Sequence, residues 1–525
     1  MKHNKEGAPV VLYSPVSDQQ QGQCDCDCAC GLDLSAAFPA PDALDSHDSD
    51  PYCVGDTFYD IHVGMDRGRY ARAAGVLSFP LEDGWQVNYN PTGPLGVTVL
   101  NPQAQQVLAA FEALDPDGLE PQRPGLIAKE PGKEKPPGAD PVARPQSASR
   151  SAGMSAHEVG RAIDSLLQVG LLRPMDGAPP RLARPAALVA WLQITQACTL
   201  DCSYCYIPKR PATMSAEVGR SAVDRLVKMA AREGYTTLKL KYAGGEPTLN
   251  VPLIQALHAR AVRRAEQAHL VLEEVVLTNG VGVGDAFLDW LVQAGIKLMV
   301  SLDGGAEAHD RLRSRREGTG TYTAVVGTVD RAVARGLRPN ISITLTALNL
   351  DGAQEAVAFA LERNLPFNIN FYRECSPAWS TNKQGEGGKA WLLMPDPARL
   401  LAAMLQVVSL VQSYPAYPLP LTNVLDRTRF DVPHRYPCSA GRDYLVIDTE
   451  GGIAPCQMLM DQPWSDVSAK EPLAVLRRQG QAVFQAVEEQ AKCRDCTWRM
   501  ACSGGCPLLH GTALHDGYCQ VYQAL

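Results

Sequence analysis

The chain has 525 residues, 45% of them hydrophobic and 20% charged, the balance of a globular protein long enough for about three domains. A formal net charge of −8 argues against nucleic acid as the default partner, and no apolar run approaches membrane-spanning length, so no membrane segment is expected. The start, Met1-Lys-His-Asn-Lys-Glu, has no apolar stretch behind it. No secretory signal is therefore expected, and the 16 cysteines read as metal ligands or reactive thiols in a reducing cytoplasm rather than as disulfides.

Residues 1–70 show little periodicity and form an irregular Cys-rich segment around Cys24-Asp-Cys-Asp-Cys-Ala-Cys30. If extended, that run spaces successive thiols ~7 Å apart on one side, too far for neighbours to share one metal without the chain folding back. It reads either as a tail that takes up soft metal adventitiously or as a functional metal or substrate-contacting strip. Residues 71–185 follow a different pattern. Val76–Phe79, Trp85–Tyr89 and Val97–Leu100 read as three short strands with turn residues between them, after which Asn101 caps a helix. Ser155 and Glu158 form a capping box for a second helix, with Met154 and Val159 placed as a hydrophobic staple and Gly170 as its stop. Between the helices, residues 115–153 are rich in Pro, Gly and charge and read as a linker insertion. Three strands followed by helices resemble the small winged-helix domain that binds leader peptides of ribosomally made natural products. Such docking usually adds a strand to a sheet edge. A generic winged-helix accessory domain is the alternative.

Residues 186–375 alternate regularly. Strands are predicted at 188–194, 236–242, 273–278, 296–302, 338–345 and 366–372, with helices at about 215–233, 252–268, 284–294, 321–335 and 352–363. Gly234 and Gly295 stand at helix stops. This repeat predicts an α/β fold, a partial (β/α)6 barrel of parallel strands with right-handed crossovers. Function in such barrels lies at the carboxyl ends of the strands. A bridge, 376–430, holds Gly-rich Gln384–Gly388 and a helix near Pro397–Val411, and the last segment is 431–525.

The first strand runs into Cys198-Thr-Leu-Asp-Cys202-Ser-Tyr204-Cys205. Three thiolates on one loop can hold three irons of a 4Fe–4S cube and leave the fourth open, whereas a structural zinc site wants four protein ligands. The triplet, with an aromatic before its last cysteine, resembles the signature of the radical S-adenosylmethionine (radical SAM) superfamily, and the resemblance runs from about Leu188 to Cys519. It implies that Cys198, Cys202 and Cys205 carry a catalytic cluster that binds S-adenosylmethionine and cleaves it reductively to a 5′-deoxyadenosyl radical. It further implies that Gly244, Gly245, Glu246 and Pro247, after the second strand, form the glycine-rich motif at the methionine amino group, with Glu246 as anionic counterpart. Tyr204 in the triplet, Thr278 and Asn279 at the third strand end, and Ser301, Asp303 and Arg313 at and after the fourth, are implied cofactor contacts. Arg313 alternatively reads as a surface cation, and Asp303 as a brace of its loop.

The last hundred residues carry Cys438, Cys456, Cys493, Cys496, Cys502, Cys506 and Cys519. Their spacing resembles the SPASM extension of peptide-modifying radical SAM enzymes, which holds two auxiliary 4Fe–4S clusters, three clusters in all. By resemblance Cys493, Cys496, Cys502 and Cys519 ligate one auxiliary cluster, and Cys438, Cys456 and Cys506 the other. That second set is completed by an open iron, water, His434, Cys375 or an N-terminal thiol. Sulfatase maturases of this kind carry an aspartate base where this chain has Gln457, which demotes that activity. The resemblance implies oxidative modification, crosslinking foremost, of a ribosomally made precursor peptide whose leader binds the N-terminal domain. A flavodoxin or ferredoxin would supply the reducing electron. The alternative is a protein or small-molecule substrate without a leader.

Overall fold

The structure, a computed structural model of the chain, describes residues 11–13, 70–73, 75–81, 84–93, 96–111, 156–174, 185–374, 392–414, 426–430 and 432–525. The Cys24–Cys30 run, Cys53, the 115–153 insertion, the Met154 and Ser155 capping positions, Cys375 and the Gly-rich stretch from Gln384 to Gly388 lie outside the described residues. The chain divides into two units. One is Met1–Pro15, His47–Leu182 and Phe430–Pro433, and the other is Val16–Ser46, Ala183–Arg429 and His434–Leu525.

The smaller unit is built on a four-stranded antiparallel sheet in the order β1-β5-β4-β3, from β1 (Val11–Tyr13), β3 (Leu77–Pro80), β4 (Gln86–Tyr89) and β5 (Val97–Leu100). A second pair joins β2 (Tyr70–Arg72) to β6 (Leu172–Pro174). Asn101 ends β5 and starts α1 (Pro102–Ala109), its side chain accepting from the Ala104 N–H at 2.9 Å, which satisfies one of the helix's open donors. Helix α2 (Ala156–Gln168) puts Val159, Ile163 and Leu166 against Leu100, Val107 and Phe111 in one core. Burial on alternate residues of β5, Thr98 and Leu100, gives the sheet its inner face. The three meander strands and both helices follow the predicted order, whereas β1, β2 and β6 were not foreseen. At three residues each they are too short to carry a period.

The larger unit has a nine-stranded sheet in the order β12-β11-β10-β9-β8-β7-β13-β14-β15. Six strands are parallel neighbours: β7 (Ala187–Thr195), β8 (Thr237–Gly244), β9 (Val271–Thr278), β10 (Lys297–Ser301), β11 (Asn340–Leu345) and β12 (Phe367–Phe371). The crossovers are α3 (Ala216–Arg232), α4 (Val251–Gln267), α5 (Asp285–Ala294), α6 (Ala306–Leu312) with α7 (Tyr322–Ala334), and α8 (Ala353–Glu362). Ser215 and Asn250 cap α3 and α4 by accepting from the N–H groups of Val218 and Leu253, and Gly295 ends α5 in the left-handed region at φ 65°. The sheet does not stop at six. β13 (Tyr444–Ile447) pairs parallel to β7 and carries β14 (Gly452–Ala454) and β15 (Ser465–Asp466) antiparallel beyond it. All four residues of β13 are buried, so it is an inner strand whose unbroken apolar run was too short to assign from sequence. The chain's last region thus shares the barrel's own sheet. Among the described residues no helix is long and apolar enough to cross a membrane.

Candidate active site

The loop after β7 is held by the chain around it. Gln196 N–H donates to the Ala212 carbonyl at 2.8 Å, Asp201 N–H to Ser314 at 3.0 Å and Ser203 N–H to Leu312 at 3.0 Å. Cys198 and Cys202 are buried and Cys205 is partly so. Donors point at the sulfurs: Lys209 Nζ lies 2.9 Å from Cys205 Sγ, Leu200 N 3.5 Å and Asn279 Nδ2 3.7 Å from Cys198 Sγ. Burial pushes the Cys202 thiol up to about 11, against the pull of the Arg313 guanidinium; a bound iron would deprotonate it outright. Among the described residues no three His, Cys, Asp or Glu side chains converge as they would on a single ion. A cube asks something else, one thiolate per iron, and a loop of thiols supplied with N–H and ammonium donors fits it.

At the end of β8 the backbone itself is the wall. A Cβ on Gly244, which stands at φ 146°, would come within 2.2 Å of the Thr195 carbonyl, and one on Gly245 within 2.2 Å of the Ala197 carbonyl. Only glycine allows this approach to the cysteine loop. Glu246 does not face the opening. It is fully buried, and its carboxylate accepts from Thr248 N–H at 3.1 Å, Thr248 Oγ1 at 2.7 Å, Thr278 Oγ1 at 2.8 Å and Asn279 N–H at 2.8 Å. Burial raises its carboxyl above the ordinary value while these bonds pull it down. The geometry makes it a stitch between the glycine loop and the end of β9.

A third group joins the cysteine loop to the end of β10. Tyr204 OH donates to Asp303 Oδ2 at 2.5 Å and receives a hydrogen bond from Arg313 Nη1, which is 3.4 Å from the same carboxylate oxygen. Asp303 Oδ1 accepts from Thr344 N–H at 2.8 Å. Asp303 and Arg313 are both buried, and the guanidinium Nε has no partner among the described residues. His309 accepts the Asp303 N–H on Nδ1, and burial with the Arg313 charge lowers its pKa to about 3. Arg313 is therefore no surface cation.

These elements open on one cavity of about 210 Å³. Its wall contains Cys198, Cys202, Tyr204, Cys205, Gly244 and Gly245, then Thr278, Asn279, Ser301 and Arg313. Glu246, Pro247 and Asp303 stand behind the wall rather than in it. Farther along, the same wall includes Cys438, Cys456, Cys506 and Gln457, whose Oε1 accepts from Tyr444 OH at 2.9 Å. A smaller cavity of about 40 Å³ is lined by Cys493, Cys496, Cys502 and Cys519, with Cys506 on its border. Burial pushes the Cys502 thiol up to about 12, helped by the neighbouring thiols of Cys496, Cys493 and Cys519. His434 is buried and lines neither cavity.

Several wall residues were not singled out from sequence. Lys209 sits four positions after the last loop cysteine and Arg373 two after β12, and both positions were available as signals. Arg373 bonds Asp426 through Nη2 at 2.6 and 2.5 Å and borders both cavities. Trp191 lines the large cavity with its buried indole N–H unpartnered; an inward-facing strand residue carries no sequence mark of that.

Residues 192–360 match the Radical SAM superfamily. The chain is 26% identical over 337 residues to PqqA peptide cyclase of Xanthomonas euvesicatoria, covering 62% of this chain and 81% of that one. It is 26% identical over 203 residues to an uncharacterized protein of Synechocystis, spanning 37% of this chain and only 50% of that relative. A solved structure, native anSMEcpe with bound AdoMet and Kp18Cys peptide, shares the fold at TM-score 0.53 and 17% identity, over 64% of this chain and 95% of the other. The larger unit contains a radical SAM domain over residues 192–360, and the protein is an enzyme. The family implies S-adenosylmethionine and a 4Fe–4S cluster. The residues present fit both: a loop of three thiols surrounded by donors, glycines with no room for a side chain, and a buried guanidinium nitrogen without a partner at the wall.

Proposed function

We infer that this enzyme oxidatively modifies, by crosslinking foremost, a ribosomally made precursor peptide. The observation that carries the reading is the single cavity whose wall runs from the cysteine loop to Cys438, Cys456 and Gln457. One wall carries both the first-loop thiols and those of Cys438, Cys456 and Cys506, so a substrate side chain entering it would lie beside a cofactor held at the first loop. The named relative that acts on a peptide and the fold neighbour holding AdoMet with a peptide support the same class.

Cys198, Cys202 and Cys205 would hold the catalytic cluster. Gly244 and Gly245 would let backbone approach the methionine part, while Thr278, Asn279, Ser301 and Arg313 would meet its polar groups. When bound, cluster and S-adenosylmethionine together supply reductive cleavage of a sulfonium C–S bond and a hydrogen-abstracting radical. The chain's own residues position and shield. Lys209 holds positive charge at Cys205, Tyr204 and Asp303 fix Arg313, and Glu246 fixes the glycine loop. Gln457, an amide, cannot take the substrate's proton at neutral pH.

The last segment fits a SPASM-type extension. Cys493, Cys496, Cys502 and Cys519 around one cavity would hold one auxiliary 4Fe–4S cluster; Cys438, Cys456 and Cys506 at the other would hold the second, open to substrate or electron acceptance. The strands and helices of residues 70–174 are read as a winged-helix module that docks the leader by strand addition. A flavodoxin or ferredoxin would deliver the electron.

The test is mass spectrometry of any short peptide encoded beside this gene, co-expressed with wild type and with a Cys198→Ala/Cys202→Ala/Cys205→Ala variant. Loss of pairs of hydrogens with wild type alone supports the reading. An unchanged peptide mass, with S-adenosylmethionine still cleaved, sinks it in favour of a protein or small-molecule substrate.

A further inference from the structure

The strands β3, β4 and β5 form a self-contained meander between Leu77 and Leu100, with connections of a few residues. Such a sheet ends in two edges, β3 on one side and β5 on the other. The β5 edge is covered by a strand from far away in sequence. Val11 pairs with Leu100, Leu12 with Val99 and Tyr13 with Thr98, antiparallel. The covering stretch is bracketed in sequence by Pro9 and Pro15, neither of which can donate a ladder hydrogen bond. The pairing is thereby kept short.

Its energetics are those of an exchangeable strand. A three-residue pairing gains a few backbone hydrogen bonds at about 1 kcal/mol net each. Ordering three backbone residues costs about 1–2 kcal/mol apiece. The two sums nearly cancel, so backbone bonding alone contributes little to holding so short a strand, and a tether of about millimolar effective concentration leaves it displaceable. A peptide with a longer extended match has more bonds to gain on the same edge.

We propose that Val11–Tyr13 is an in-cis occupant of a strand-docking edge on β5, and that an extended peptide engages this edge in trans only by displacing it. The proposal rests on reading residues 70–174 as a peptide-docking module and adds that the module's docking edge is self-occupied. It deals with the smaller unit alone and needs no substrate to be known.

The probe is a fluorescently labelled synthetic peptide of residues 8–16 of this chain, titrated by anisotropy into three proteins. These are the full chain, a variant lacking residues 1–15, and a full-length Val11→Pro/Leu12→Pro variant. Successive strand N–H groups face opposite sides, so one of the two prolines must remove a ladder donor. Against a tether of about millimolar effective concentration, the full chain should bind the probe more weakly than the truncated one by the ratio of that concentration to the Kd measured on the truncated chain. The double-proline variant should match the truncated chain. Hydrogen exchange across 97–100 should quicken in both variants and slow again when the probe is added.

Equal binding by the full and truncated chains overturns the proposal, because nothing then competes at the edge. So does failure of both variants to bind the probe while their circular dichroism and Tm are unchanged. If both variants lose the fold of this unit, β1 is a fixed member of the sheet and the proposal also fails. The peptide-maturase reading stands or falls separately, on the mass of the co-expressed peptide.

Discussion

Replacing Asp303 by Asn tests how the site holds Arg313. The carboxylate is fully buried and accepts from Thr344 N–H at 2.8 Å on Oδ1 and from Tyr204 OH at 2.5 Å on Oδ2, with Arg313 Nη1 3.4 Å from Oδ2. An amide has one acceptor oxygen. Turned to keep Thr344, it sets an NH2 against the guanidinium; turned the other way, it sets that NH2 against a backbone N–H. In either pose Arg313 loses its buried counter-charge, an outcome that costs about 3–5 kcal/mol. The chain has two units, so a single global unfolding energy is not defined. Local opening energies from hydrogen exchange over residues 297–315 are the measurement. We expect them to fall by about that amount in Asp303→Asn. An Asp303→Asn/Arg313→Gln double variant should recover about 1–3 kcal/mol relative to the sum of the single changes. Single-variant costs that add to within about 0.5 kcal/mol would refute the coupling. S-adenosylmethionine affinity should drop in Asp303→Asn as well, although the carboxylate is not in the cavity wall.

Three further outcomes follow from the same geometry. Lys209→Met removes a cation 2.9 Å from Cys205 Sγ, which favours the oxidised cluster. Its reduction potential in an electron paramagnetic resonance titration should fall by about 60 mV, equivalent to about 1.4 kcal/mol for one electron, while Lys209→Arg should retain most of the wild-type value. His309 is held neutral, with its pKa lowered from 6.5 to about 3 by burial and Arg313. Its contribution is therefore whole above pH 6.5 and is lost as the pH falls toward 3. At pH 5 the loss is about 2 kcal/mol in local opening energy, and His309→Gln should abolish that part of the pH dependence; an unchanged slope counts against it. Cys493→Ser/Cys496→Ser, at the smaller cavity, should lower the iron content of anaerobically reconstituted protein by about four per chain. The cluster of the Cys198 loop should survive, judged by its spectroscopic response to S-adenosylmethionine.

Much of the barrel was legible in the sequence, because a helix period and a continuous apolar strand run are local properties. All six barrel strands fall within two residues of their predicted bounds, β7 at Ala187–Thr195 against 188–194 among them. The cysteine triplet and Gly244-Gly245-Glu246 were visible as spacings, since one loop carries each. What escaped were pairings and facings. β13 is four apolar residues whose partner, β7, lies some 250 positions earlier, and nothing local in Tyr444–Ile447 names that partner. β1 is shorter still.

The same division runs through the site. Sequence alone determined that three thiols share a short loop, that glycines follow the second strand, and that seven more cysteines gather near the end of the chain, because covalent order and residue chemistry suffice for that. Only the tertiary structure decided which way each side chain acts. Glu246 turned inward to satisfy four donors, and Arg313 turned inward onto Tyr204 and Asp303. Cys438 and Cys456 came to the cavity of the first loop while Cys493 and Cys519 came to another. A buried charge goes where partners from several strands converge, and that convergence exists only once the sheet has formed.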